Sequence, residues 1–461
     1  LTMDGVGEWS TTSCAQGSKN NISIQKEIHF PHSLGLLYSA FTTYAGFRVN
    51  SGEYKLMGLA PYGQPHYAQK ILDNLIDVKT DGSFRLNQDY FDYSTGLRMT
   101  NDKFAKLFGG KPRLQESSIR QRDMDIAASI QSVTEEIILK LITGLKQNSP
   151  SNNLCLAGGV ALNCVANGKI AKLNIFEKLW IQPAAGDAGG AIGAALVAYH
   201  MFKNKNRHVS SSTDSMSGAL LGPEFSQNEI KEFLIELGAN FEYQKTEDLI
   251  TTTAESLANG DAVGWFQGRM EFGPRALGAR SILGNPSLPD TQKQLNLKVK
   301  FRESFRPFAP AILKDQLANW FDLEGDNKYM LIVANIKDDK RTALSQIDQE
   351  REGTDKVNAI RSLVPAVTHV DYSARIQSVD QETNPLFHAL IKKFEKITGI
   401  PMLINTSFNI RSEPIVCNPR DAFKCFMATD LDMLVIGNYI LHKSKQDSGL
   451  QEDYLDQFTL D

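Results

Sequence analysis

A chain of 461 residues is long enough for two or three domains with their own cores. Apolar residues at 42%, charged residues at 22% and a net charge of -4 describe an ordinary globular protein and speak against a large nucleic-acid footprint, which needs a basic face. The five cysteines, Cys14, Cys155, Cys164, Cys417 and Cys425, are odd in number and lack CxxC spacing, so they read as free thiols of a reducing, cytoplasmic setting. No apolar run of about 18 residues predicts a membrane span, and no signal peptide is read.

Leu1–Gly5 reads as the end of an apolar strand entering a turn, as though sequence preceded it. Residues 1–30 predict a β-meander, with strands Glu8–Cys14 and Asn21–Phe30 around a turn at 16–20. Leu34–Ala45 predicts a helix with Ser33 as N-cap. Residues 80–115, with scattered Gly, Asp and Asn, predict loop. Asp123–Gln147 carries the clearest helical apolar face. Strand Asn153–Ala157 runs into Gly158-Gly159 and a helix from about Val160, and strand Lys178–Ile181 runs into 183–187 and a small-residue helix Gly190–Tyr199. Strand, glycine turn, helix, twice over, is an α/β pattern. Residues 203–216 read as a linker. Beyond Gly218, strands at Ala262–Phe266, Pro310–Leu313, Met330–Ala334, Ala374–Val379, Met402–Asn405 and Met433–Ile436 alternate with helical stretches.

Several turns carry chemistry. Asp4-Gly5-Val6-Gly7 places a carboxylate and two glycines at a strand turn, where backbone N–H groups approach phosphate; an acidic hairpin is the plainer reading. Gly158-Gly159 suits close approach of a nucleotide at a helix start, with Asn163 able to bond a ribose hydroxyl; tight strand–helix packing explains it equally. Asp187, at another strand-end turn, can ligate a cation bridging to phosphate or N-cap the next helix. Gly52–Gly63 reads as a conformationally demanding loop carrying Glu53 and Lys55. His29 and His32 read as structural. In the second half, 266–280 and 298–308 bring Arg275, Lys300 and Arg306 among glycines and aromatics, a pattern suited to phosphate or an acyl phosphate. The donor cluster Asn405–Asn409, containing Ser407, sits at a strand end, where α/β ligands bind. No Ser–His–Asp order and no activated Cys is present, so electrostatic stabilisation is expected in place of covalent catalysis.

Asp4–Trp9, Pro31–Tyr38, Gly52–Gly63, Leu156–Ile170, Pro183–Ala195, Gly264–Pro286, Leu295–Ile312, Thr368–Val379 and Pro401–Val416 together resemble the carbamoyltransferase family of nodulation-factor and antibiotic tailoring enzymes. The resemblance implies an α/β chain in two parts. Residues 1–205 would form part of an actin-like (ASKHA) domain similar to the tRNA threonylcarbamoyltransferase catalytic subunit; 206–217 would link it to a YrdC-like domain, 218–461, similar to threonylcarbamoyl-adenylate synthase. It implies an ATP-dependent O-carbamoyltransferase that forms carbamoyl-adenylate from carbamoyl phosphate and transfers the carbamoyl group to a hydroxyl of a small molecule. Arg275, Lys300, Arg306, Arg375 and Ser407 would line the ATP and carbamoyl-phosphate pocket. Gly158, Gly159, Asn163, Asp4, Gly5, Glu53 and Lys55 would serve the nucleotide in the transfer site, with Mg2+ accompanying ATP. Asp187 matches a metal carboxylate, iron or another divalent cation, whose HxxxH histidines and surrounding lobe are expected upstream of Asp4. Ser412 stands where the family leads one to expect Gly, and the ending Phe458–Asp461 reads as a natural terminus. No nucleic-acid or membrane partner is expected, and a homodimer is compatible. The competing readings are an actin-like kinase, a tRNA-modifying enzyme of the threonylcarbamoyl type, and an inert fragment or binding module. The Arg275/Lys300/Arg306 cluster argues against the first, and the acidic balance against the second.

Overall fold

The computed structural model describes residues 1–207, 214–300 and 305–450. The cations and aromatics expected within 301–304, part of the linker, and the C-terminal residues from 451 onward lie outside that description. The chain divides into two compact units, 1–211 and 212–461. Among the described residues no helix is long and apolar enough to cross a membrane.

The first unit is built on a mixed sheet. Strands Thr2–Met3, Ser10–Ser18 and Asn21–His29 form the antiparallel meander, and Asn153–Leu156 runs parallel to Lys178–Ile181. A parallel bridge from Thr2 to Ala157 joins the two parts. The strand order is therefore 21–29, 10–18, 2–3, 153–156, 178–181. Helices Leu34–Tyr44 and Gln121–Asn148 pack together and bury Leu37, Phe41, Ile126, Ile130 and Ile137. Ser33 caps the first helix, its Oγ accepting from the Leu36 N–H at 3.0 Å and donating to the Asp4 carbonyl at 3.0 Å. One side chain thus starts the helix and fixes the turn after the first strand.

Three local expectations change. Residues 80–115 contain strand Phe84–Leu86, paired with Ile76–Val78, and helix Asp102–Leu107, capped by Asn101. Phe84, Leu86, Phe91 and Phe104 are buried there, and that packing outweighs the polar composition. The charged 52–63 stretch is a helix, Glu53–Leu59, followed by a 3-10 turn, because Leu56 and Leu59 face the core. After Gly158 a 3-10 turn spans Gly159–Leu162, and the helix begins at Cys164.

The second unit carries a sheet of nine strands, in the order 332–335, 373–379, 309–313, 402–407, 280–284, 263–266, 433–436, 439–442, 242–243. Both faces are covered. Helices Thr246–Asn259 and Pro385–Thr398 bury Leu257, Leu390 and Phe394 against one face, on Val263, Leu283, Leu403 and Val435. Helices Gln227–Glu236 and Pro419–Ala428 bury Ile230, Leu234, Phe423 and Phe426 against the other. Strands Arg280–Gly284, Tyr439–His442 and Glu242–Tyr243 are additions to the expected set.

At the end of strand Ser373–Val379, Asp380 accepts from the Thr383 N–H at 2.7 Å and pairs with Lys328 at 2.9 Å. Burial alone would raise the Asp380 pKa, but the bonds from Lys328 and Thr383 and the Lys328 charge hold it down at about 2. A carboxylate held below its ordinary 3.8 stabilises the folded state above that value, and the contribution is lost as the pH falls through about 2. Asp380→Asn should therefore destabilise the protein at pH 6, with the gap from wild type closing below pH 4. A gap that stays constant in urea titrations from pH 6 to pH 2 would contradict this.

Candidate functional site

In the first unit the strands 2–3, 153–156 and 178–181 are mutually parallel, so their carboxyl ends lie along one edge of the sheet. The loops leaving those ends are Asp4-Gly5, Gly158-Gly159 and 183–187. Ligands of open α/β sheets bind in this position. Asp4 Oδ1 accepts from the Gly5 N–H at 2.8 Å and would lie 3.2 Å from a Cβ added at Gly159. Gly158 has φ +87, and its N–H donates to the Ala185 carbonyl at 2.8 Å. The structure thus brings Asp4, Gly5, Gly158, Gly159 and the 183–187 turn together.

Asn163 has a different local task. Its Oδ1 accepts from the Ala166 N–H at 3.1 Å, capping the helix that begins at Cys164. The same amide exchanges two 3.1 Å bonds with buried Gln131, whose Oε1 also takes the Tyr38 hydroxyl at 2.8 Å. Its polar atoms therefore brace the turn that Gly158 and Gly159 open. Glu53 accepts from Ser39 Oγ at 2.7 Å and the Asn50 N–H at 3.2 Å, and Lys55 is 1% exposed. Burial of this lysine in a helix replaces the expected charged loop.

Asp187 is exposed at the start of helix Ala188–Val197 and makes no side-chain capping bond. Among the described residues no group of three or more His, Cys, Asp or Glu comes together to hold a metal ion. Asp187 alone does not make a metal site, and a divalent ion there would need further ligands. His32 is structural, its Nδ1 accepting from the Leu86 N–H at 3.1 Å.

In the second unit register gathers the cationic residues. Strand 402–407 lies between 309–313 and 280–284 and is antiparallel to both, with Asn405 opposite Ala309 and Ser407 opposite Ser281. Strand 373–379 runs parallel to 309–313, with Gln377 beside Ala311, which places Arg375 level with Ala309. Arg306 stands three residues before Ala309, and Arg275 lies in the loop entering Arg280–Gly284. Arg275, Arg306, Arg375 and Ser407 thus share one end of the sheet, on strands spaced ~4.8 Å apart.

Lys300 joins them directly. It is 3% exposed, and its Nζ donates to the carbonyls of Ser407 at 2.7 Å and Asn409 at 2.8 Å. The side-chain oxygens of Asn409 and Ser407 lie 2.6 and 3.2 Å away. These four acceptors are neutral oxygens, and their bonds aim the ammonium. Asn409 is held in turn by its Nδ2, which donates to the Glu413 carbonyl at 2.6 Å, and Ser412 turns the chain at φ +67. That positive φ explains why glycine was expected there.

Sequence reading gave Asn409 only a place in the donor cluster 405–409 and Arg280 only a place among the cations of 266–280, and assigned no role to Glu271 or Gln377; all four build this end of the sheet. All four stood inside stretches singled out for their neighbours. Gln377 shows only as a polar residue in an apolar strand.

Residues 1–196 match the carbamoyltransferase N-terminus family and residues 254–443 the carbamoyltransferase C-terminus family. An uncharacterized protein of Synechocystis is 54% identical over 464 residues, covering 100% of this chain and 75% of the relative. The nodulation protein NolNO of Sinorhizobium fredii is 35% identical over 96% of this chain and 60% of its own length. NolO of Bradyrhizobium diazoefficiens is 34% identical over 96% and 75%. The chain belongs to the carbamoyltransferase family, and the reaction class is carbamoyl transfer.

Proposed function

We propose that the chain works as an ATP-dependent O-carbamoyltransferase, its second unit activating carbamoyl phosphate as carbamoyl-adenylate and its first serving transfer to a small-molecule hydroxyl. The observation that carries this reading is the convergence of Lys300, Ser407, Arg275, Arg306 and Arg375 at one end of the nine-stranded sheet. Such a concentration of fixed cations suits two polyanions that must approach each other. An actin-like kinase has no need of it. The strand order of the first unit, and the three glycine-bearing turns on its carboxyl edge, support the actin-like assignment and a nucleotide there.

Activation takes two bond-changing steps and transfer a third. Joining the carbamoyl group to AMP leaves both the donor's phosphate and the pyrophosphate of ATP, which requires one water. Water cleaves the C–O–P link of carbamoyl phosphate to give carbamate and inorganic phosphate. A carbamate oxygen then attacks the α-phosphorus of ATP, and the bond to pyrophosphate breaks as it departs. Arg275, Arg306 and Arg375 hold phosphoryl oxygens, and the Lys300 ammonium meets the charge on the acyl phosphate. In transfer, the acceptor hydroxyl attacks the carbamoyl carbon, the C–O bond to AMP breaks and the hydroxyl proton goes to solvent or a base. The Asp4-Gly5 turn and the Gly159 N–H would face the nucleotide phosphate, while the Gly158 N–H is taken by the Ala185 carbonyl.

The test is phosphate and pyrophosphate release by residues 1–461 with ATP, with and without carbamoyl phosphate. Both products, in equal amounts and only with carbamoyl phosphate, are expected. ADP formation in their place would favour a kinase. Absence of both from the folded protein would overturn the activation step for this chain.

A further inference from the structure

Loop 267–279 connects the antiparallel strands Val263–Phe266 and Arg280–Gly284 and carries Arg275. It has no regular ladder of its own at 276–278, so its backbone groups need other partners. Glu271 supplies them. Its side chain is buried, and Oε1 accepts from the N–H groups of Leu277 at 2.6 Å, Ala279 at 2.8 Å and Arg280 at 3.3 Å. Oε2 has no hydrogen-bond partner.

Neighbouring side chains hold the carbonyls of the same segment. Asn405 Nδ2 donates to Ala276 at 3.3 Å, Gln377 Nε2 to Leu277 at 2.8 Å and Trp265 Nε1 to Gly278 at 3.0 Å. The four residues after Arg275 are thereby tied one by one. Gly278, at φ +103, lets the loop lie against Phe387, where any Cβ would collide. Glu271 is itself anchored by the 2.6 Å bond from the Phe272 N–H to Ala219 and by the bridge with Leu220.

Burying a carboxylate is unfavourable unless its charge is compensated. Here the compensation is three backbone N–H groups and the nearby Arg280. That guanidinium lies 3.6 Å above the Phe266 ring and donates to the carbonyls of Gln267, Gly268, Ala279 and Pro223. Burial lowers the Arg280 pKa to about 10, with the Glu271 charge working against that fall. The charge-assisted acceptor therefore spends its bonds on the stretch that sets where Arg275 points.

We propose that Glu271 is the positioning residue of Arg275, holding the loop so that the guanidinium meets the anionic substrates; this rests on the role given to Arg275 above. Glu271→Gln keeps the size and one acceptor oxygen but removes the charge and brings an N–H2 against backbone donors. The full chain is compared as wild type, E271Q, R275A and the double variant E271Q/R275A, reading KM and kcat of carbamoyl-phosphate-dependent pyrophosphate release. Hydrogen exchange at Leu277 and Ala279 is read alongside.

E271Q should exchange faster at those two amides and raise KM for ATP or carbamoyl phosphate about tenfold with a smaller change in kcat. The double variant should be no worse than R275A, since a residue acting through another adds nothing once that one is gone. Independent, additive losses would overturn the proposal, as would an unchanged KM in E271Q despite faster exchange. R275A with wild-type kinetics would overturn the role of Arg275, and Glu271 with it, a result told apart from the others by the single variant alone.

Discussion

Lys300→Ala is expected to cut carbamoyl-phosphate-dependent pyrophosphate release by about 100- to 1,000-fold, the range found when one preorganised charge or donor is removed from a reacting site. The Nζ is fixed by four oxygens of Ser407 and Asn409 before any substrate arrives, so its charge needs little reorganisation to act. Lys300→Arg should not restore the rate. A planar guanidinium cannot fit a cradle built around a compact ammonium. The loss should fall mainly on kcat if Lys300 meets charge that grows during the reaction, and on KM if it only holds the donor. Alanine also leaves the Ser407 and Asn409 oxygens without their donor, so the melting temperature must be read beside the rate. A folded variant with a rate near wild type would remove Lys300 from the reacting site.

Gly158→Ala should cost on the order of 3 kcal/mol or more and unfold or loosen the first unit. At φ +87 and ψ 155 the residue occupies a region open to glycine alone. An added Cβ would lie 2.7 Å from the Met3 backbone nitrogen and closer still to its carbonyl. Met3 cannot retreat, because its N–H donates to the Ala157 carbonyl at 2.9 Å and its strand pairs with Ser10–Ser18. Gly186→Ala is the control, with nothing within 4 Å of the new Cβ. It should change stability by less than about 0.5 kcal/mol. Thermal melts with hydrogen exchange across residues 1–207 separate the cases. A Gly158→Ala protein as stable as the Gly186→Ala protein would mean that the strand and turn do not approach so closely.

Much of the architecture was legible in local pattern. The Leu34–Tyr44 and Gln121–Asn148 helices follow from apolar spacing and, for the first, from Ser33, because a helix face must repeat every three to four residues. The inner strands of the second unit follow from short apolar runs buried on both faces. Strand Arg280–Gly284 did not show, because its first residue looked like part of a basic loop. Its guanidinium is buried against Phe266 and backbone carbonyls, a stabilisation no local pattern records.

The site divides along the same line. Residue chemistry marked Lys300, Arg275 and Arg306 as anion-binding types, Ser407 as part of a donor cluster, and Gly158, Gly159, Asp4 and Asp187 as turn residues of a nucleotide edge, whereas Arg375 entered only with the family resemblance. Their chemistry is carried by the side chain or by its absence, and so can be read from the sequence. Which partners each one meets depends on register between strands far apart in the chain. Ser407 comes to Lys300 across 107 positions, and Asn405 to Ala276 across 129. Only the tertiary structure decided that Asn163 caps a helix, that Lys55 is buried and that Glu271 holds the Arg275 loop, because these roles arise from burial and from bonds to backbone that no spacing encodes.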